Sequence, residues 1–112
     1  MSQITTHILD TSVGKPAEGV NTYLEKLNLQ NSFEFVAKGI TNKDGRISDL
    51  VSNKTLESGI YRLRFETGDY YKSKNIKTFY PYIEITFEIS GTEHYHVPLL
   101  LNPFGYSTYR GS

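Results

Sequence analysis

The chain reads as an all-β fold, an antiparallel sandwich or barrel with one short helix, on three observations. Turn signals recur along its 112 residues: Ser12-Val13-Gly14-Lys15-Pro16, Asn28–Ser32, Asn42-Lys43-Asp44-Gly45, Asn53–Gly59, Ser90-Gly91-Thr92 and Asn102-Pro103-Phe104-Gly105. The runs between them alternate apolar and polar residues with a period of two, as half-buried strands do. Nine Tyr and six Phe bring the aromatics to 13%, a composition that favours strands.

In order, the expected strands are Thr5–Asp10, Thr22–Leu27, Phe33–Thr41, a short one near Arg46–Leu50, Ile60–Glu66, Tyr82–Ile89, His94–Leu101 and Gly105–Arg110. The expected helix covers Thr67–Asn75. Thr67 suits its cap, Asp69 its positive end, Lys72 and Lys74 its negative end, and Asn75 its termination.

Alternation also assigns faces. Ile83, Ile85, Phe87 and Ile89 form one core row, Tyr61, Leu63 and Phe65 a second, and Tyr95, Val97, Leu99 and Leu101 a third. Ile4, Thr6 and Ile8 look inward from the first strand, leaving Thr5, His7 and Leu9 outside. The outer row of His94–Leu101 is His94, His96, Pro98 and Leu100. Tyr82–Ile89 shows a plain charged exterior, whereas Leu9, Pro98 and Leu100 make an apolar strip beside two histidines. Such a strip implies a covering partner, by symmetry most often a second copy of the chain.

The length fits one domain, residues 1–112, with a real core. Hydrophobic residues at 38% and charged residues at 21% exclude a disordered chain. Twelve Lys and Arg balance twelve Asp and Glu, which argues against non-specific nucleic-acid binding. No apolar run approaches the ~20 residues of a membrane helix. MSQITTHILD lacks the pattern of a signal peptide, so a cytoplasmic location is the default expectation. Without Cys, disulfide and thiolate chemistry are excluded.

The candidate chemistry therefore rests on histidines, an arginine and a polar terminus. An outward histidine is ordinarily just solvated, but His7 and His96 sit among apolar neighbours, where a desolvated imidazole stays neutral and acts as a base. His94-Tyr95-His96 together with His7 also has the makings of a three-nitrogen zinc site, although the H-x-H spacing is a weak signal, and His94, at the start of its strand just after the turn, reads rather as a rim residue. Arg46 reads equally as an exposed charge after a turn and as a guanidinium fork that clamps a carbonyl or anion. At the end, a strand pattern runs almost to Ser112, and Gly111 lets the chain bend, so that the terminal hydroxyl and carboxylate can enter a site. This set suits attack by water on a carbonyl without a covalent intermediate.

The residues also resemble a known family. Thr6-His7-Ile8-Leu9-Asp10-Thr11-Ser12 with Gly14-Lys15-Pro16-Ala17 is similar to the opening of the transthyretin-like 5-hydroxyisourate hydrolases. Thr41-Asn42-Lys43-Asp44-Gly45-Arg46 resembles their internal motif. His94-Tyr95-His96-Val97-Pro98-Leu99-Leu100-Leu101 and Tyr106-Ser107-Thr108-Tyr109-Arg110-Gly111-Ser112 resemble their C-terminal signature. The ending Tyr109-Arg110-Gly111-Ser112 separates the hydrolases from transthyretins proper. The resemblance implies a transthyretin-like two-sheet antiparallel β-sandwich with one short helix. It also implies a homotetramer, a dimer of dimers with active sites in the channel between dimers. The implied reaction is hydrolysis of 5-hydroxyisourate to 2-oxo-4-hydroxy-4-carboxy-5-ureidoimidazoline in urate degradation, with no metal or organic cofactor. His7, Arg46, His96 and Ser112 fall on the family's catalytic positions, and Tyr109 falls on a substrate-contacting one. His7 and Arg46 also contact substrate by this transfer. Two other readings compete: a transthyretin-like small-molecule carrier, which the His7, Arg46, His96 and Ser112 set opposes, and an adhesive β-sandwich, which the missing export signal and disulfide oppose.

Overall fold

The computed structural model describes residues 2–52 and 54–112, and Asn53, placed in a turn by the sequence, lies outside them. The elements follow in the order β1 (Ile4–Asp10), β2 (Lys15–Pro16), β3 (Asn21–Leu27), β4 (Phe33–Ile40), β5 (Arg46–Ile47), β6 (Gly59–Phe65), α1 (Thr67–Ser73), β7 (Ile83–Ile89), β8 (Tyr95–Asn102) and β9 (Gly105–Thr108). Two sheets face each other, β2-β1-β8-β9 with β5 also on β1, and β4-β3-β6-β7.

The alternation predicted from sequence builds the core between them. Ile4, Ile8, Leu63, Phe65, Ile89 and Leu99 are fully buried, with Tyr61, Ile83 and Leu101 nearly so. Each such side chain contributes roughly 1.5–3 kcal/mol by leaving water. Phe87 is half-buried and packs against this core. Asp10 continues the inward row of β1, and its buried carboxylate accepts bonds from the Ser12 backbone and hydroxyl and from the Tyr70 hydroxyl. That ties α1 to the first sheet.

The differences from the sequence reading have local causes. Lys15–Pro16, read as turn, pairs with Leu9 and Asp10, because Gly14 adopts φ 66° and reverses the chain tightly. Pro16 is tolerated there as the edge of the sheet. α1 ends at Ser73, and Thr67 does not cap it. Glu66 occupies the cap position, while Thr67 is buried against the core. Asn75 does stop the helix, in the left-handed region at φ 62°. β9 stops at Thr108 rather than Arg110, and Gly111 bridges His96 further along the same antiparallel register.

The pairing of β1 with β8 brings the two histidine-bearing strands together. Among the described residues every ladder is antiparallel except this one, which runs parallel in the register Thr5↔His96, His7↔Pro98 and Leu9↔Leu100. These strands come from opposite ends of the sequence, so the intervening chain serves as the long crossover that a parallel pair requires.

Candidate active site

β1 is the axis of the site. On one side β8 lies parallel to it, and on the other β5 pairs His7 with Arg46. The turn before β5 explains why Arg46 is held there. Asn42 Oδ1 accepts the backbone N–H groups of Asp44 (2.9 Å) and Arg46 (3.0 Å), and the Asn42 carbonyl accepts from Gly45 at 2.8 Å. Gly45 stands at φ 73°, and a Cβ on it would collide with the Ile8 carbonyl oxygen. Only glycine fits where the turn closes on β1. The Gly45 carbonyl in turn accepts the Ile8 N–H at 2.8 Å.

A cavity of about 280 Å³ opens on this outer face and is lined by Thr5, Thr6, Arg46, Ile47, Ser48, His94, His96 and Ser112. The structure thus gathers three of the expected site residues, Arg46, His96 and Ser112, from three separate segments. His7 stands beside them, between Arg46 and Pro98 in the sheet, rather than in the cavity wall. Tyr109 lines a neighbouring cavity of about 300 Å³, which His96 also lines. His94, read from sequence as a rim residue, lines the same cavity as His96, and their rings stack at 6.5 Å and 16°. Among the described residues, no three His, Asp or Glu side chains converge in a metal-holding group.

The electrostatics favour neutral imidazoles. Burial first, and then the Arg46 charge, lower the pKa of His7, against the pull of the Asp44 carbonyl and carboxylate. Burial lowers His96 as well, followed by Arg46, His7 and His94. Arg46 itself is exposed and forms no salt bridge among the described residues, which leaves its fork of donors to a ligand.

Sequence reasoning missed Thr5. Its hydroxyl lies 2.8 Å from His96 Nδ1 and 2.9 Å from His94 Nε2. Alternation put it on the right face, but only the parallel register places it opposite His96. Pro98 also differs from expectation: it lies on the outer face, as predicted, yet is buried. The C-terminal segment covers it, since a Cβ on Gly111 would sit 3.3 Å from Pro98 Cγ. The exposed apolar strip reduces to Leu9 and Leu100, half-buried and side by side.

Gly111 also matters through closeness. Its N–H donates to the His96 carbonyl at 2.8 Å, and a Cβ there would meet His96 Cδ2 at 2.5 Å. Gly111→Ala is therefore expected to push the His96 ring or Ser112 aside. Activity should fall on the order of 10²-fold, the cost of misplacing a reacting group by about 1 Å. The melting temperature should change little, since the position lies at the edge of the sheet. A kcat measurement paired with a thermal melt checks both statements.

A sequence profile described as "HIUase/Transthyretin family" matches residues 4–111. A protein of Schizosaccharomyces pombe named "Probable 5-hydroxyisourate hydrolase" is 50% identical over 112 residues, covering 97% of this chain and 90% of its own. The structure of a 5-hydroxyisourate hydrolase from Klebsiella pneumoniae superposes with TM-score 0.86 at 39% identity, covering 97% of this chain and 92% of that one. Sea bream transthyretin in complex with thyroxine superposes with TM-score 0.93 at 28% identity, covering 98% and 95%. Backbone shape is thus shared with both, while sequence identity is higher to the hydrolases.

Proposed function

The chain belongs to the HIUase/Transthyretin family, and on that footing we propose that it hydrolyses 5-hydroxyisourate by general acid–base activation of water, without a metal. The observation that carries the mechanism is the convergence of Arg46, His96 and Ser112 on one cavity, with His7 paired to Arg46 at its side.

The roles follow from the chemistry. His7, held neutral by burial and by the Arg46 charge, takes a proton from the attacking water. The water oxygen bonds to the ring carbonyl, whose oxygen gains negative charge. Arg46 meets that charge with its guanidinium fork. The amide-type C–N bond then breaks, His96 binds the nitrogen that leaves, and the proton taken up by His7 is returned to that nitrogen. Ser112 orients water or substrate, and Tyr109 contacts substrate from the neighbouring cavity. The product is 2-oxo-4-hydroxy-4-carboxy-5-ureidoimidazoline. A thyroxine-type carrier would need an apolar cavity, and a guanidinium, an imidazole and a hydroxyl do not supply one.

The test adds the purified protein to freshly oxidised urate. The absorbance of 5-hydroxyisourate should decay faster than it does spontaneously, with or without EDTA. Activity lost to EDTA and restored by zinc would replace the acid–base mechanism with a metal site at His7, His94 and His96.

We propose further that the enzyme is a tetramer, a dimer of dimers whose channel encloses the site. The support is the Leu9–Leu100 pair, which lies on the outer face beside the catalytic set. Sedimentation at micromolar concentration should give four chains, and Leu100→Glu should split dimer from dimer with a loss of activity. A wild-type monomer with full activity would defeat the channel model.

A further inference from the structure

We propose that Thr5 is a positioning residue whose hydroxyl holds the His96 ring by Nδ1 and ties the tautomer of His96 to that of His94. The proposal rests on the reading of His96 as a catalytic residue.

Three features carry it. Thr5 faces His96 directly in the parallel register of β1 and β8, so the contact is built into the sheet. Its Oγ1 lies within hydrogen-bond distance of both imidazoles, 2.8 Å from His96 Nδ1 and 2.9 Å from His94 Nε2. A threonine in a strand is also stiff at χ1, so the hydroxyl is aimed at little entropic cost.

The constraint lies in the proton count. A hydroxyl donates one hydrogen and accepts through two lone pairs. Thr5 therefore cannot donate to both rings at once. Where it donates to His94, the His96 bond requires a proton on Nδ1. Where it donates to His96, the proton of that neutral ring sits on Nε2 and His94 must supply the other bond. Where it accepts from both rings, Nδ1 of His96 again carries the proton, so the one state excluded is that in which both facing nitrogens are bare; in every case Nδ1 of His96 is engaged, and Nε2 is the nitrogen left for substrate. Valine has the same shape and strand preference as threonine but no hydroxyl, so it removes the grip and leaves the packing.

The experiment compares Thr5→Val, Thr5→Ser and His94→Ala with the wild type. Thr5→Val should lower kcat about 10–100-fold, the usual effect of removing the outer partner of a working imidazole. KM should change far less, and Thr5→Ser should restore most of the rate. Nitrogen-15 NMR should show one dominant His96 tautomer in the wild type and in Thr5→Ser, and a mixture in Thr5→Val. A change of packing alone would not move that signal. His94→Ala keeps the Thr5–His96 bond and should cost less than Thr5→Val, and the reverse order would overturn the assignment. A Thr5→Val enzyme with wild-type kcat and an unchanged tautomer would also overturn it, provided that His96→Ala is inactive. If His96→Ala itself kept full activity, the catalytic reading would fail instead.

Discussion

His7→Ala and His96→Ala are each expected to lower kcat by about 10²–10⁴, the range for a positioned acid or base. The two imidazoles stand at different places around Arg46, His7 in the strand beside it and His96 across the cavity. Neither can take over the contacts of the other, so both losses should be large. Stopped-flow decay of 5-hydroxyisourate measures them, with circular dichroism to confirm the fold. Either variant retaining wild-type kcat would remove that histidine from the mechanism.

The pH profile follows from the same surroundings. A base must be neutral to accept a proton, and an ordinary imidazole titrates near ~6.5. Both histidines are lowered from that value, first by burial and then by Arg46. The neutral form therefore persists below the usual imidazole range. Activity should stay level through neutral pH and fall only on the acid side of ~6.5. An acid limb centred above that value would contradict the arrangement.

Much of this site was legible in the sequence because period-two alternation fixes faces. Ile4, Thr6 and Ile8 went inside, which forced His7 outside, and Tyr95 and Val97 did the same for His96. The turn before Arg46 was legible in the chemistry of Asn42 and Gly45. Pairing between distant strands was not legible, since nothing in Thr5 announces a partner 91 positions away. Without that register Thr5 was one more outward polar residue, and His94 was a rim residue rather than part of the cavity. Thr67 failed as a cap for a related reason: burial against the core outweighed local capping preference. The burial of Pro98 depends on the C-terminal segment continuing along β8 in the register of β9, a pairing that no local pattern encodes.

Arg46 offers the sharpest separation of two effects that a single substitution would confuse. Its charge lowers both histidines, and its planar fork is suited to the oxygen that becomes negative in the transition state. Arg46→Lys keeps the charge beside His7, because the Asn42 turn holds the backbone of residue 46 whatever its side chain. It loses the fork, since an ammonium on a flexible stem offers no paired donors in one plane. Arg46→Lys should therefore lower kcat on the order of 10²–10³, the cost of losing a preorganised oxyanion donor. Its acid limb should remain where it is in the wild type. Arg46→Ala should lose as much rate and also move the acid limb upward, because the repulsion that kept the imidazoles neutral is gone. Two kcat–pH profiles decide the matter. If the lysine enzyme runs at the wild-type rate, charge alone suffices and the fork has no role. If the acid limb of the alanine enzyme does not move, Arg46 does not set the protonation of the histidines.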